Sequence, residues 1–364
     1  PQPGAGIEVR VEKSLRRAGA SPCTRFISGR HPGEGRDPVG TGNACVNDWV
    51  PAFAGMTTAL LQLGAGLRPA RAARPSNSFP LDAAAFLAET GASIQGSPTM
   101  SIVSIEKRGA IAILRLTRPE MMNALGAPGD GAAIEAACAE LNADQSIRVI
   151  VLTGEGKCFS AGGDIKAMAE RSGAFAGSGV DIREGYRTNI HRAARALYGL
   201  QLPVIAAVNG PAIGLGCDVA CMADVRIASD RAKFGVTFLK LGLVPGDGGT
   251  WLLPRTIGMS RAAELFFTAD VVDAATAERY GLVSRVVAHD TLMDEALAMA
   301  TKMAALPPHA LRMTKNMLRQ GQGISYDTAL ELAAANQAVA HLTYDHEEGV
   351  RALIDKREPK FEGR

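Results

Sequence analysis

Two short runs, Val149-Ile-Val-Leu152 and Pro203-Val-Ile-Ala-Ala-Val208, are apolar at every position. A strand with one wet face alternates polar and apolar residues. A run apolar throughout is a strand buried on both faces, as in a parallel sheet covered by helices. Each run leads into a glycine-rich turn: Cys158-Phe-Ser-Ala-Gly-Gly-Asp-Ile-Lys166 after the first, Asn209-Gly-Pro-Ala-Ile-Gly-Leu-Gly-Cys-Asp218 after the second. A helical pattern follows each turn. Strand, tight turn and helix in repetition indicate an α/β fold with a parallel sheet.

The neighbouring sequence fits that frame. Ile102 to Glu106 and Ile111 to Leu116 read as a hairpin turning at Gly109, Ala132 to Leu141 as a helix, and Val225 and Ile227 as part of a third strand. An Arg-rich amphipathic stretch containing His191 reads as the helix before the second buried strand. Beyond Pro254 the pattern is almost wholly helical. Ser260 to Phe267, Ala274 to Tyr280, Thr291 to Ala305, His309 to Gln320, Tyr326 to His341 and Asp345 to Lys356 are separated by Gly281, Pro307-Pro308 and Gly321/Gly323. The expected organisation is an α/β core over residues 100–255 and a helical region over 256–364 that serves oligomerisation and closes the site.

Residues 1–99 differ in kind. Ten of the 19 prolines and thirteen of the 40 glycines lie there, and hydrophobic periodicity is weak. Such a segment buries too little apolar surface to offset its ordering entropy. It has no continuous apolar stretch of the kind a signal peptide needs. It is Arg-rich like a mitochondrial presequence, but its Gly and Pro content opposes an amphipathic helix. The pieces around His31 to Val39 and Asp48 to Thr57 resemble peptides that arise when bacterial intergenic repeats are read as protein. Met100 directly precedes the first strand pattern, and we expect translation to begin there.

Composition excludes several classes. A formal net charge of +2 over 364 residues carries no electrostatic footprint for nucleic acid. No apolar run reaches the ~18 residues of a membrane span. Of the six cysteines, none forms a C-x-x-C pair; Cys217 and Cys221 share a helix face instead of a zinc site. No metal site is expected, and a reducing, cytoplasmic compartment is the simplest reading.

The two glycine turns carry the chemistry. Ligands bind at the carboxyl ends of parallel strands. Glycine lets the backbone approach closely, and a helix N-terminus offers unpaired N–H donors. Two such turns facing one point would make an oxyanion hole. Neither is a phosphate loop, since G-x-x-x-x-G-K-[ST] and G-x-G-x-x-G are both absent. Taken singly, each turn is also what a tight strand-to-helix connection needs for packing.

Taken together and in order, the motifs Arg118-Pro-Glu, Asn123-Ala-Leu125, Val151-Leu-Thr-Gly154, Phe159-Ser-Ala-Gly-Gly-Asp-Ile165, Ala207-Val-Asn-Gly210, Gly214-Leu-Gly-Cys-Asp218 and Gly242-Leu-Val-Pro-Gly-Asp-Gly-Gly-Thr250 resemble the crotonase (enoyl-CoA hydratase/isomerase) superfamily. The resemblance runs from about Ser104 to the C-terminus. It implies a spiral of ββα units with buried parallel strands followed by a helical region, and subunits assembled as a homotrimer or hexamer. It implies no separate cofactor, because coenzyme A arrives as part of an acyl-CoA thioester. It gives the oxyanion donors as the N–H groups of Ala161 and Leu215, and the coenzyme A strip as Ala124, Gly162, Gly163, Asp164, Ile165 and Gly214. Asp164 has a competing local role as the N-cap of the next helix. Lys356 and Phe361 are candidates for reaching coenzyme A across a subunit interface.

The family's acid/base work uses two carboxylates. One position is Asp218 here. The other is Phe238, which can neither give nor take a proton, so the usual pair is broken. Asp247, within Pro245-Gly-Asp-Gly-Gly249, is the candidate replacement; a Gly-Asp-Gly-Gly run is equally a good turn. The leading expectation is an enoyl-CoA hydratase of fatty-acid or related acyl-CoA breakdown. An enoyl-CoA or dienoyl-CoA isomerase is the second reading, and a non-catalytic binding protein of the same fold the third.

Overall fold

The computed structural model describes residues 101–364. The expectations for residues 1–99 and for Met100 as the start lie outside the described residues. A six-stranded sheet organises the rest. Its strands are β1 (Val103–Arg108), β2 (Ile111–Leu116), β3 (Val149–Gly154), β4 (Val204–Val208), β6 (Val225–Ser229) and β9 (Arg285–Val287), adjacent in that order. The hairpin partner β1 is antiparallel, and every other pairing in the sheet is parallel. A second small sheet joins β5 (Ala212–Ile213), β7 (Lys233–Gly235) and β8 (Val271–Asp273). The strands β8 and β9 fall within the region expected to be helical. Each has only three residues, too few for an alternating pattern to stand out.

The two faces of the large sheet carry two cores. Successive strand residues point to opposite faces. Ile111, Ile113, Val149, Val151, Ile205, Ala207 and Ile227 therefore meet one layer, helix α9 (Leu292–Ala304), through Leu292, Ala296 and Ala300. Their neighbours Ala112, Leu114, Ile150, Leu152, Val204, Ala206 and Val208 face the other way. They join the main core with α1 (Asp130–Ala143), α4 (His191–Tyr198) and α5 (Leu215–Met222). Burial on both faces is why β3 and β4 need apolar residues at every position.

The remaining helices are α2 (Ile165–Glu170), α3 (Gly179–Gly185), α6 (Gly249–Ile257), α7 (Met259–Thr268), α8 (Ala274–Tyr280), α10 (Pro308–Gln320), α11 (Tyr326–His341) and α12 (Tyr344–Asp355). Between α3 and α4 the chain makes a wider turn, Tyr186–Ile190, with the five-residue spacing of a π-helix. Helical structure begins before Pro254, not after it: α6 starts at Gly249 and takes Pro254 into its interior. The expected boundary at 255/256 lies inside this helix. Among the described residues, no helix is long and apolar enough to cross a membrane.

Candidate active site

The two glycine turns meet through Ser160. Its carbonyl accepts from Ile213 N–H at 3.0 Å, and its own N–H donates to Pro211 O at 3.1 Å, which stitches the first turn to the second. Its hydroxyl donates to Asn123 O at 2.8 Å and accepts from Gly162 N–H at 3.2 Å. Gly216 packs directly onto the Ser160 carbonyl, and a Cβ there would overlap its oxygen. Gly162, with φ +91°, is equally confined: a Cβ would overlap Ile213 O and come within 3.2 Å of Leu215 N. Glycine is needed at 162 and 216 because two main chains touch there.

A third segment completes the frame. Met122 and Asn123 both adopt left-handed conformations, with φ of 52° and 54°. Asn123 is fully buried and fully used: its amide donates to Glu155 O and Cys158 O, and Oδ1 accepts from Arg118 N–H. The Arg118 guanidinium pairs with Asp130 at 2.8 Å, and Asp130 also accepts from the Gly126 and Ala127 N–H groups. The Arg118-Pro-Glu and Asn123-Ala-Leu motifs thereby lock a strained turn. Leu125 N–H then donates to Gly162 O at 2.7 Å, which lays Ala124 and Leu125 beside Gly162 and Gly163.

This arrangement corrects one assignment. The Ala161 N–H donates to Met122 O at 2.9 Å and is not free for a ligand. A glycine-rich sequence does not reveal which of its N–H groups the fold has already spent. The Gly162 N–H is also taken, by Ser160 Oγ. Among the described residues, the N–H groups of Gly163 and Leu215 have no hydrogen-bond partner. Leu215 is the first residue of α5, where helix geometry leaves the N–H unpaired and the helix dipole favours negative charge. Asp164 caps α2 by accepting from Ala167 N–H at 3.0 Å. Ile165 is exposed, and the Phe238 ring packs against Gly214, with φ +54°.

The two acidic candidates are both deeply placed. Asp218 sits in the first turn of α5, a helix buried along all eight residues, and is 1 % exposed. Neither carboxyl oxygen has a hydrogen-bond partner. The Gly249 N–H lies close enough to lower its pKa slightly, but makes no hydrogen bond to either oxygen. Burial dominates and holds the carboxyl well above the usual range; the nearby Cys221 and Asp247 push the same way. Asp247 is 5 % exposed, and burial lifts its pKa from 3.8 to about 6, against a lowering influence from His191. Two buried acids, both with raised pKa, thus lie within electrostatic reach of each other. Raised carboxyl pKa values in one buried site suit proton transfer near neutral pH. Among the described residues, no cluster of His, Cys, Asp or Glu could hold a metal ion.

The enoyl-CoA hydratase/isomerase family profile matches residues 106–364. A probable enoyl-CoA hydratase of Mycobacterium tuberculosis is 38% identical over 263 residues, covering 72% of this chain and 98% of that protein. The chain belongs to the enoyl-CoA hydratase/isomerase family. The 2,3-dehydroadipyl-CoA hydratase of Escherichia coli is 35% identical over 268 residues, 73% of this chain and all of that protein. The crystal structure of the enoyl-CoA hydratase from Bacillus anthracis aligns with a TM-score of 0.68 at 32% identity, over 72% of this chain and 100% of that one. The crotonase fold is therefore shown, and the chain is an enzyme of this family.

Two further residues of this family member, His191 and Tyr186, hold the Asp247 loop. His191 Nε2 lies 2.7 Å from Gly246 O. A carbonyl only accepts, so Nε2 carries the proton. The Tyr186 ring packs edge-on against His191, with centroids 6.0 Å apart, and a Cβ on Gly246 would meet Tyr186 at 3.0 Å. Tyr186 opens the wide turn at 186–190 and His191 follows it, and the turn changes the phase of the helix before His191. Nothing local in the sequence signals this. His191 and Gly246 are 55 residues apart, and only the tertiary fold brings them together.

Proposed function

We propose that this enzyme adds water across the 2,3 double bond of a 2-enoyl-CoA thioester. The observation that carries the reading is one site combining two unspent main-chain donors, Gly163 and Leu215, with two buried acids, Asp218 without a hydrogen-bond partner and Asp247 near the His191 charge. Coenzyme A would run along Ala124, Gly163 and Ile165, with the thioester oxygen between the Gly163 and Leu215 N–H groups. Attack of water at C3 sends the electron pair of the double bond onto that oxygen as an enolate, where such donors stabilise charge most. Near neutral pH, Asp247 is the ionised partner and takes a proton from the attacking water. Asp218 is the neutral partner and gives its proton to C2. Proton transfer from Asp247 back to Asp218 resets the pair.

Phe238 favours a second reading. Shifting a double bond moves one proton between carbons and can use a single carboxyl, so the missing carboxylate at 238 costs an isomerase less. Product analysis separates the two. The hydratase reading expects 3-hydroxyacyl-CoA from a trans-2-enoyl-CoA. Turnover confined to 3-enoyl or dienoyl substrates would establish the isomerase instead. Self-association into trimers or hexamers belongs to the same proposal, with sedimentation velocity as its measurement.

A further inference from the structure

A groove of about 540 Å³ borders the Asp247 loop at Gly246. Its size falls in the range of small-molecule sites. Leu243 and Val244 give it apolar surface, and Tyr186 and His191 form the wall toward Gly246. The rim is basic: Arg183, Arg187 and Arg195 line it, and no carboxylate does. Together with His191 they recur every four residues, so one helical face supplies them. Arg187 is partly engaged, 3.3 Å from Glu184. Arg183 and Arg195 make no ion pair among the described residues. By contrast Arg192, outside the groove, is paired with Glu135.

The position of the groove indicates which part of a substrate would reach it. In the proposed function coenzyme A runs along Ala124, Gly163 and Ile165, and Asp247 acts at C3 on the acyl side of the thioester. Gly246, next to Asp247, lines the groove, so the groove adjoins that acid. Arg183, Arg187 and Arg195 line the groove itself, so their charge is available to whatever occupies it. An apolar bed ending in unpaired guanidinium groups suits an aliphatic chain that ends in an anion, because guanidinium pairs well with carboxylate.

We propose that this groove takes the distal end of the acyl chain, and that the preferred substrate is a 2-enoyl-CoA whose chain terminates in a carboxylate. The proposal rests on the acyl-CoA reading of the site and extends it to substrate class. Binding tests it independently of turnover. The probes are saturated hexanedioyl-CoA and hexanoyl-CoA, of equal length, titrated calorimetrically into the full chain. A partly exposed ion pair supports a preference of about fivefold for the dicarboxylic ligand, reduced in 0.5 M salt. The R183Q/R195Q variant should bring the ratio close to one by weakening the dicarboxylic ligand, and R183K/R195K should retain most of it. Equal affinity of the wild type for both ligands overturns the proposal. So does an R183Q/R195Q variant that weakens both ligands alike, which would place the arginines on the coenzyme A phosphates. Crotonyl-CoA hydration, measured in parallel, decides the hydratase reading separately.

Discussion

The Gly249 backbone lies directly against the carboxyl of Asp218, so closely that a methyl group at 249 would overlap both carboxyl oxygens. The first turn of α6 thereby closes over the acid carried by α5. This contact shields Asp218 from water without supplying a hydrogen bond, which is the condition for a carboxyl that stays protonated.

Asp218→Asn keeps the shape and removes the transferable proton. Turnover should fall about 10²–10⁴-fold, while acyl-CoA affinity measured by calorimetry changes little. Because neither carboxyl oxygen has a hydrogen-bond partner to lose, thermal stability should not drop. Retention of full activity would remove Asp218 from the mechanism.

Leu215→Pro deletes a proposed oxyanion donor with little damage to the backbone, since proline is well accepted at the first position of a helix. Loss of one donor costs about 2.7–4 kcal/mol of transition-state stabilisation, read as a fall in kcat. Circular dichroism separates that loss from unfolding. The Ala161 N–H, bonded to Met122, is spent on structure, and its removal should act on stability first.

The raised pKa of Asp247 makes stability depend on pH. Its native-state value of about 6 exceeds the ordinary 3.8, so the folded protein holds this proton more tightly than the unfolded chain does. That contribution is complete below pH ~4 and disappears as pH rises through ~6. Asp247→Asn should abolish it, so the variant gains relative stability between those values, by at most about 3 kcal/mol. Denaturant titrations at pH 4 and 7 measure the difference. If Asp247 is the base, wild-type kcat/KM rises through the same pH range and that limb vanishes in the variant.

His191 separates two effects on Asp247. His191→Gln retains an N–H donor for Gly246 O but removes the ring whose coulombic effect lowers the Asp247 pKa. The acid limb of the pH profile should then move to higher pH, because a nearby cation favours the carboxylate. His191→Phe loses the donor as well and should cost about 1–3 kcal/mol of stability for an unsatisfied carbonyl. A profile unmoved in both variants would show that His191 has no influence on the reaction.

Much of the fold was legible because its signals are local. β3 and β4 are apolar throughout because both faces are covered, and the hairpin at Gly109 follows from alternation on either side of a turn. The glycine turns were legible as a site for the same reason. What escaped depends on distance. The three-residue strands β8 and β9 exist because neighbouring strands offer them partners. Pro254 reads as a break, yet α6 tolerates it within a packed layer. The Ala161 N–H reads as available until Met122, bent into a left-handed conformation, presents its carbonyl. The hold of His191 on Gly246 lies across 55 residues, beyond the reach of any motif.

The free N–H groups of Gly163 and Leu215 belong to the main chain, so every point substitution except one to proline leaves them in place. The residues that would choose the reaction, at 218, 238 and 247, are ordinary side chains set into that frame. A lineage built this way can change its chemistry one codon at a time while the means of stabilising the anion is inherited with the path of the backbone.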